Sequence, residues 1–122
     1  MEINYDNAQV EKLFRDLNDV KNSRNLLQKK IGKEKAIATK KRKNQIEAST
    51  NFQAYLDLHI GNPHSLTGNL ASCYAVDINA HIRLIIKPIS NDLSAESLKL
   101  CTSVIIRGIM EYHGGKDEWI IP

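Results

Sequence analysis

The stretch Leu70-Ala71-Ser72-Cys73-Tyr74-Ala75-Val76-Asp77-Ile78-Asn79-Ala80-His81-Ile82-Arg83-Leu84-Ile85-Ile86-Lys87-Pro88 decides the fold. Two runs rich in β-formers meet at Asn79-Ala80, the kind of break that a tight hairpin uses. A third run, Val104-Ile105-Ile106-Arg107-Gly108-Ile109-Met110-Glu111-Tyr112-His113-Gly114, reads as another strand ending in a Tyr-His pair. Strands are expected over about 70–78, 81–87 and 103–112, and they set the sheet core at about 70–113. Upstream, Gly61-Asn62-Pro63 ends what precedes, and His64–Asn69 reads as a loop. Between the second and third runs, Ile89–Leu100 is a longer connection. Ser90-Asn91-Asp92 favours a turn there, and Ser94–Leu100 a short helix or excursion.

The N-terminal half has a different period. Met1–Asp6 alternates weakly and suggests a short first strand. Asp6 or Asn7 then offers a helix N-cap. Val10, Leu13, Phe14, Leu17 and Val20 follow at helical spacing, and the pattern restarts through Leu26, Leu27 and Ile31. One helix over about 8–31, kinked near Asn22-Ser23, is expected. A second begins near 33, with Ala36, Ile37, Ala38, Ile46, Ala48, Phe52, Tyr55, Leu56 and Leu58 as its apolar stripe. Asn51-Phe52 marks a kink or a new start. Lys40-Lys41-Arg42-Lys43 interrupts the stripe with a basic turn expected to be exposed. The fold class is therefore α+β: an N-terminal helical hairpin, about 8–60, packed on a small, twisted, mainly antiparallel sheet of about four strands. The tail 114–122 carries Trp119, Ile120 and Ile121 and should dock on the body or on a partner.

A chain of 122 residues with 42% apolar and 25% charged residues is a single globular domain rather than a disordered one. No apolar run approaches the roughly 20 residues of a membrane span, so no membrane is expected. The first residues carry neither a basic n-region nor an apolar h-region. Cys73 and Cys101 fit reduced thiols better than a disulfide framework, which points to the cytoplasm. The net charge of +3 is uneven. Residues 1–50 hold 12 Lys/Arg against 7 Asp/Glu, and residues 51–122 hold 5 against 7. A basic N-terminal half suits a polyanion or an acidic partner peptide. A solvated, lysine-rich helix face explains the same run equally well.

Three candidates carry chemistry. Alternation puts Arg83 on one face with Ile85 and Lys87, opposite Ile82, Leu84 and Ile86. An arginine on a concave sheet surface can clamp a phosphate through two parallel hydrogen bonds; a solvent-facing strand arginine is the ordinary alternative. Tyr112-His113 offers a ring that can stack on a base and an imidazole that titrates near neutral pH. His64 lies in the loop before the hairpin. The His and Cys residues have no recognised zinc spacing, and no glycine-rich phosphate loop or nucleophile elbow is present. Neither a metal nor a cofactor is expected.

His64-Ser65-Leu66-Thr67-Gly68, the Tyr74 strand, Ile82-Arg83-Leu84-Ile85 and Glu111-Tyr112-His113-Gly114, in that order, resemble the HigB branch of the RelE/ParE toxins of bacterial toxin–antitoxin systems. In that branch the pieces read His-x-Leu-Lys-Gly, a Tyr-containing strand, Tyr-Arg-Ile/Leu-Ile/Val-Phe and Asp-Tyr-His. The likeness is close from about 60 to 114 and extends to element order alone before that. It implies an mRNA-cleaving endoribonuclease dependent on the ribosome, needing no metal because the 2′-hydroxyl attacks. It implies His64, Arg83, Glu111, Tyr112 and His113 as the catalytic set. Arg83 would hold the phosphate, His64 and His113 would act as base and acid in either order, Tyr112 would stack or orient a base, and Glu111 would orient a His. The basic run Lys40, Lys41, Arg42 and Lys43, with Lys87 on the Arg83 face, is the candidate RNA contact, which fits the ribosome dependence of that branch. The implied partner is a HigA-like helix-turn-helix antitoxin, through which alone DNA would be contacted.

Two departures stand out. Glu111 replaces the family's Asp, and Thr67 replaces its loop Lys, so one positive charge is lost. Lys87 or Lys116 are the candidates to replace it. Two alternatives remain open: a ParE-like, non-enzymatic gyrase binder, and a catalytically impaired homologue that retains antitoxin binding.

Overall fold

The computed structural model describes residues 1–121, the side chain of His113 excepted; Pro122, in the expected tail, lies outside the described residues. In chain order the elements are β1 (Glu2–Tyr5), α1 (Ala8–Phe14), α2 (Leu26–Ile31), α3 (Lys33–Ala48), α4 (Phe52–Asp57), β2 (His64–Ser65), β3 (Tyr74–Asp77), β4 (Ile82–Pro88), α5 (Ala95–Leu100), β5 (Ser103–His113) and β6 (Lys116–Ile121). The strands make a six-stranded sheet, ordered β1-β5-β4-β3-β2, with β6 also on β5. Every pair is antiparallel except β1–β5, which is parallel.

The long first helix expected over 8–31 is instead α1, a 3₁₀ turn at Leu17–Asp19, and α2. Asparagine side chains take over the backbone's bonds between them. Asn7 caps α1 by accepting from Val10 N at 3.0 Å. Asn25, itself buried, accepts from Gln28 N at 3.0 Å to cap α2 and donates to the Asp16 carbonyl at 2.8 Å. Gln28 Nε2 reaches the Val20 carbonyl at 2.9 Å. The second expected helix also breaks. Ser49 turns extended, and Asn51 caps α4 through Ala54 N at 2.8 Å. A pattern of apolar spacing survives these breaks because each segment still lays the same side on the sheet.

The sheet has two more strands than expected. β2 pairs His64 with Ala75 and Ser65 with Tyr74, where a loop was anticipated. The tail docks as β6: Ile121 sits opposite Ile109 and is fully buried. Gly114 and Gly115, at φ +51° and +92°, make the tight turn that a two-residue hairpin needs. At the other hairpin, Asn79 Oδ1 accepts from both His81 N and Ile82 N at 2.8 Å.

The five α-helices serve one sheet face. Val10, Phe14, Leu27, Ile46, Phe52 and Tyr55 pack on Val76, Leu84, Ile86, Ile106 and Ile109. The opposite face carries a small apolar floor of Cys73, Ala75, Ile85 and Met110, flanked by Leu66 and Leu70.

Gly61 is where the helical layer meets β3. Its φ is +75°, and a Cβ there would lie 2.7 Å from Val76 Cγ1 and 2.9 Å from the Asp77 carbonyl oxygen. The Asp77 N–H donates to the Gly61 carbonyl at 2.7 Å. Gly61→Ala should cost about 2 kcal/mol or more, from left-handed strain and overlap together; thermal unfolding should show a melting point lower by roughly 8 °C. Tyr55 gives a pH signature. Its ring is fully buried, its hydroxyl donates to the Ile60 carbonyl at 2.9 Å, and burial pushes its pKa up to about 12. An unfolded tyrosine ionises near 10. The folded state thus holds the proton longer, and its stability is full below pH 10 and falls as pH rises towards 12. Urea midpoints measured across that window should drop, and Tyr55→Phe should flatten the drop while costing about 1 kcal/mol at pH 7.

Candidate functional site

The sheet face away from the helices collects polar side chains by register. Arg83 pairs with Asp77 on β3 and with Met110 on β5. Tyr112, two residues beyond Met110, shares its face, as does Asp117, its partner on β6. Arg83 is the hub. Its Nε lies 3.3 Å from Asp77 Oδ1, its Nη1 lies 3.4 Å from Asp117 Oδ1, and its guanidinium carbon sits 5.3 Å from the Tyr112 ring centroid. That last contact is a cation–π geometry. The Tyr112 ring remains 43% exposed, so one of its faces is free to accept a stacked base.

His64 pairs with Ala75, which pairs in turn with Ile85, so it belongs to the Arg83 face two strands away. Its Nδ1 lies 3.0 Å from the Asn62 carbonyl, a contact that holds the ring. His113 ends β5 opposite Lys116; its side chain lies outside the described residues. Lys87 pairs with Ile105 on the same face, two steps along β4 beyond Ile85. Thr67 is exposed at the head of a 3₁₀ turn over Gly68–Leu70.

Glu111 does not join them. It pairs with Ile82, a core residue, so it points to the helix side of the sheet. There it lines a recess of about 410 Å³ with Lys30, Ile31, Lys35, Trp119 and Ile120. Strict alternation makes this unavoidable: neighbours Tyr112 and Glu111 face opposite ways.

The basic run also departs from expectation. Lys40–Lys43 is inside α3 rather than in an exposed turn. Arg42 crosses to the sheet, donating from Nε to the Asp77 carbonyl at 2.8 Å and from Nη1 to Gln45 at 2.8 Å. Lys43 pairs with Glu47 at 3.1 Å. Lys40 and Lys41 line an open groove of about 610 Å³ with Lys21, Asn18, Asn22 and Asn44. These residues belong to the helical layer, across the sheet from Arg83.

Arg107 is the residue that periodicity did not single out. It shares the Arg83 face, 3.7 Å from Cys73 Sγ and 3.2 Å from Asp6 Oδ2. The signal for it was Gly108, a glycine inside an otherwise β-branched run, which marks a bulge. Among the described residues, no group of His, Cys, Asp and Glu could hold a metal ion, and no helix is long and apolar enough to cross a membrane. Neither protein families, nor curated proteins, nor solved structures provide a match to the chain.

The two arginines on Asp77 differ in what they hold. Arg83 touches carboxylates at a solvent-accessible surface, where ion pairs contribute about 0–1 kcal/mol. Arg42 satisfies a backbone carbonyl at the joint between layers, a charged hydrogen bond of about 1.5–3 kcal/mol. Arg42→Ala should therefore lower the thermal midpoint clearly, and Arg83→Ala should leave it nearly unchanged.

Proposed function

We propose that this chain is a RelE/ParE-like toxin of the HigB branch, a cytoplasmic endoribonuclease that cuts mRNA without a metal ion. The observation that carries the reading is the guanidinium of Arg83 lying over Tyr112 on the sheet face that the helices leave open. A cation and a stacking platform side by side suit one nucleotide: phosphate on the arginine, base on the ring. The motif order from His64 to His113 supports the same reading, as does a helical half packed on a mainly antiparallel sheet.

In this mechanism the 2′-oxygen attacks the adjacent phosphorus and the bond to the 5′-oxygen breaks. The products are a 2′,3′-cyclic phosphate and a 5′-hydroxyl end. One imidazole takes the 2′-hydroxyl proton and another protonates the departing 5′-oxygen. His64 and His113 fill these roles, and Arg83 stabilises the charge that builds on the phosphorane. Asp77 and Asp117 hold Arg83 in place until a phosphate displaces them. Translating ribosomes would present the mRNA, and a HigA-like helix-turn-helix antitoxin would neutralise the toxin.

The exposed carboxylates around Arg83 and the uncharged Thr67 also suit a second reading, a homologue that retains antitoxin binding with weak cleavage. Mapping mRNA 5′ ends after brief induction separates the two. Wild type should create new 5′-hydroxyl ends in coding frame. Arg83→Ala and His113→Ala should each reduce them by roughly 100-fold or more, the cost of losing one preorganised charge or proton-transfer group. Growth arrest without new ends would overturn the nuclease reading.

A further inference from the structure

β5 carries a bulge opposite β4. Ile85 pairs with Gly108 and Ile86 with Ile106, so Arg107 has no partner on that edge. Counting back by twos from the buried Ile109 would turn Arg107 into the core beside the helices. The extra residue re-aims it, as bulges do. Its guanidinium emerges beside Cys73, a member of the apolar floor that also holds Ile85 and Met110. Arg107 thus shares a face with Arg83, three residues back along β5 from Met110, or about 10 Å at the rise of a strand. Lys87, opposite Ile105, stands at the same end of that face.

Arg107 has bonding capacity left over. Its Nε is shut off from solvent and has no hydrogen-bond partner among the described residues. The Asp6 carboxylate at 3.2 Å is a charge contact that does not meet that N–H. Its Nη1 has only a thiol, a weak acceptor, at 3.7 Å. The side chain keeps 30% of its surface exposed. A buried donor without an acceptor is costly, and the exposed remainder of the guanidinium is where a phosphate oxygen arriving over the floor would bond.

We propose that Arg107, with Lys87 beside it, holds a second backbone phosphate of the single-stranded RNA whose reacting phosphate lies on Arg83. This rests on the RNA-cleaving reading above and deepens it. The strand would run from the Tyr112 end of the sheet towards the β1 end. Asp6 competes with that phosphate for Arg107.

The test is the salt dependence of binding to a short, non-cleavable 2′-O-methyl oligoribonucleotide. Each phosphate neutralised on a single strand contributes about 0.7 to the slope of log K against log salt. Arg107→Gln should bind several-fold more weakly with a slope shallower by about 0.7, and Arg107→Lys should keep the slope. Asp6→Asn, which leaves Arg107 itself intact, should bind several-fold more tightly and keeps the test available if Arg107→Gln misfolds. Wild-type binding with Arg107→Gln unchanged, or with Asp6→Asn unchanged, overturns the second phosphate site and leaves the RNA reading standing. Absence of wild-type binding at low salt overturns that reading and the second site with it.

Discussion

β5 must serve two different neighbours along one edge, and the sheet depends on how it does so. Ser103–Ile106 pairs with β1 in parallel; Ile109–His113 pairs with β6 antiparallel. The handover falls at Arg107-Gly108, where the opposite edge of β5 also skips one residue against β4. One irregularity thus lets eleven residues keep core side chains inward on both sides of it: Val104 and Ile106 before, Ile109 after. Without the extra residue, one half of the strand would turn its apolar set away from the helices. The same step expels an arginine to the open face. A topological necessity and a chemical feature share one position.

The open face is what remains once the five α-helices pack on the other side. Its charges come as arginines with aspartates from other segments: Arg83 with Asp77 and Asp117, Arg107 with Asp6. Distances of 3.2–3.5 Å at partly exposed side chains make these loose pairs. Such pairs orient a guanidinium while contributing little to stability. A phosphate offers shorter, bidentate bonds and can replace them at small cost. The carboxylates keep the face from being a strong, indiscriminate anion trap, so that on the proposed reading shape and stacking on Tyr112 would contribute to recognition.

The sequence was most legible where side-chain period and hydrogen bonding agree. The β3–β4 hairpin, the face of Arg83 and the short first strand followed from alternation and a turn signal. Helix ends were less legible because side-chain caps, not apolar spacing, set them: Asn25 and Asn51 interrupt patterns that look continuous. β6 was missed as a strand although Gly114-Gly115 announces a hairpin, because its alternation slips at Ile120 between two registers. Glu111 was grouped with Tyr112 by adjacency, and strand geometry turns those two neighbours to opposite faces. Arg107 was passed over for the complementary reason: alternation assigns it to the core, and only the bulge releases it.

Charge counting located the basic half of the chain but not its role. Arg42 looked like part of a polyanion-binding run, yet its guanidinium is committed to the Asp77 carbonyl and to Gln45. Asp77 therefore joins the two layers: its backbone takes Arg42 from the helical side and meets Gly61, while its side chain takes Arg83 on the open side. Shifting α3 against the sheet would move the backbone that positions the Asp77 carboxylate, and with it one anchor of Arg83. The helical layer thus bears on the open face through geometry, and its surface lysines, on the far side of the sheet, bear on it only through long-range potential that salt screens within about 10 Å. On the proposed reading, close contact with a phosphate would fall to Arg83, Arg107 and Lys87, three of the five cations in the half whose formal charge is negative.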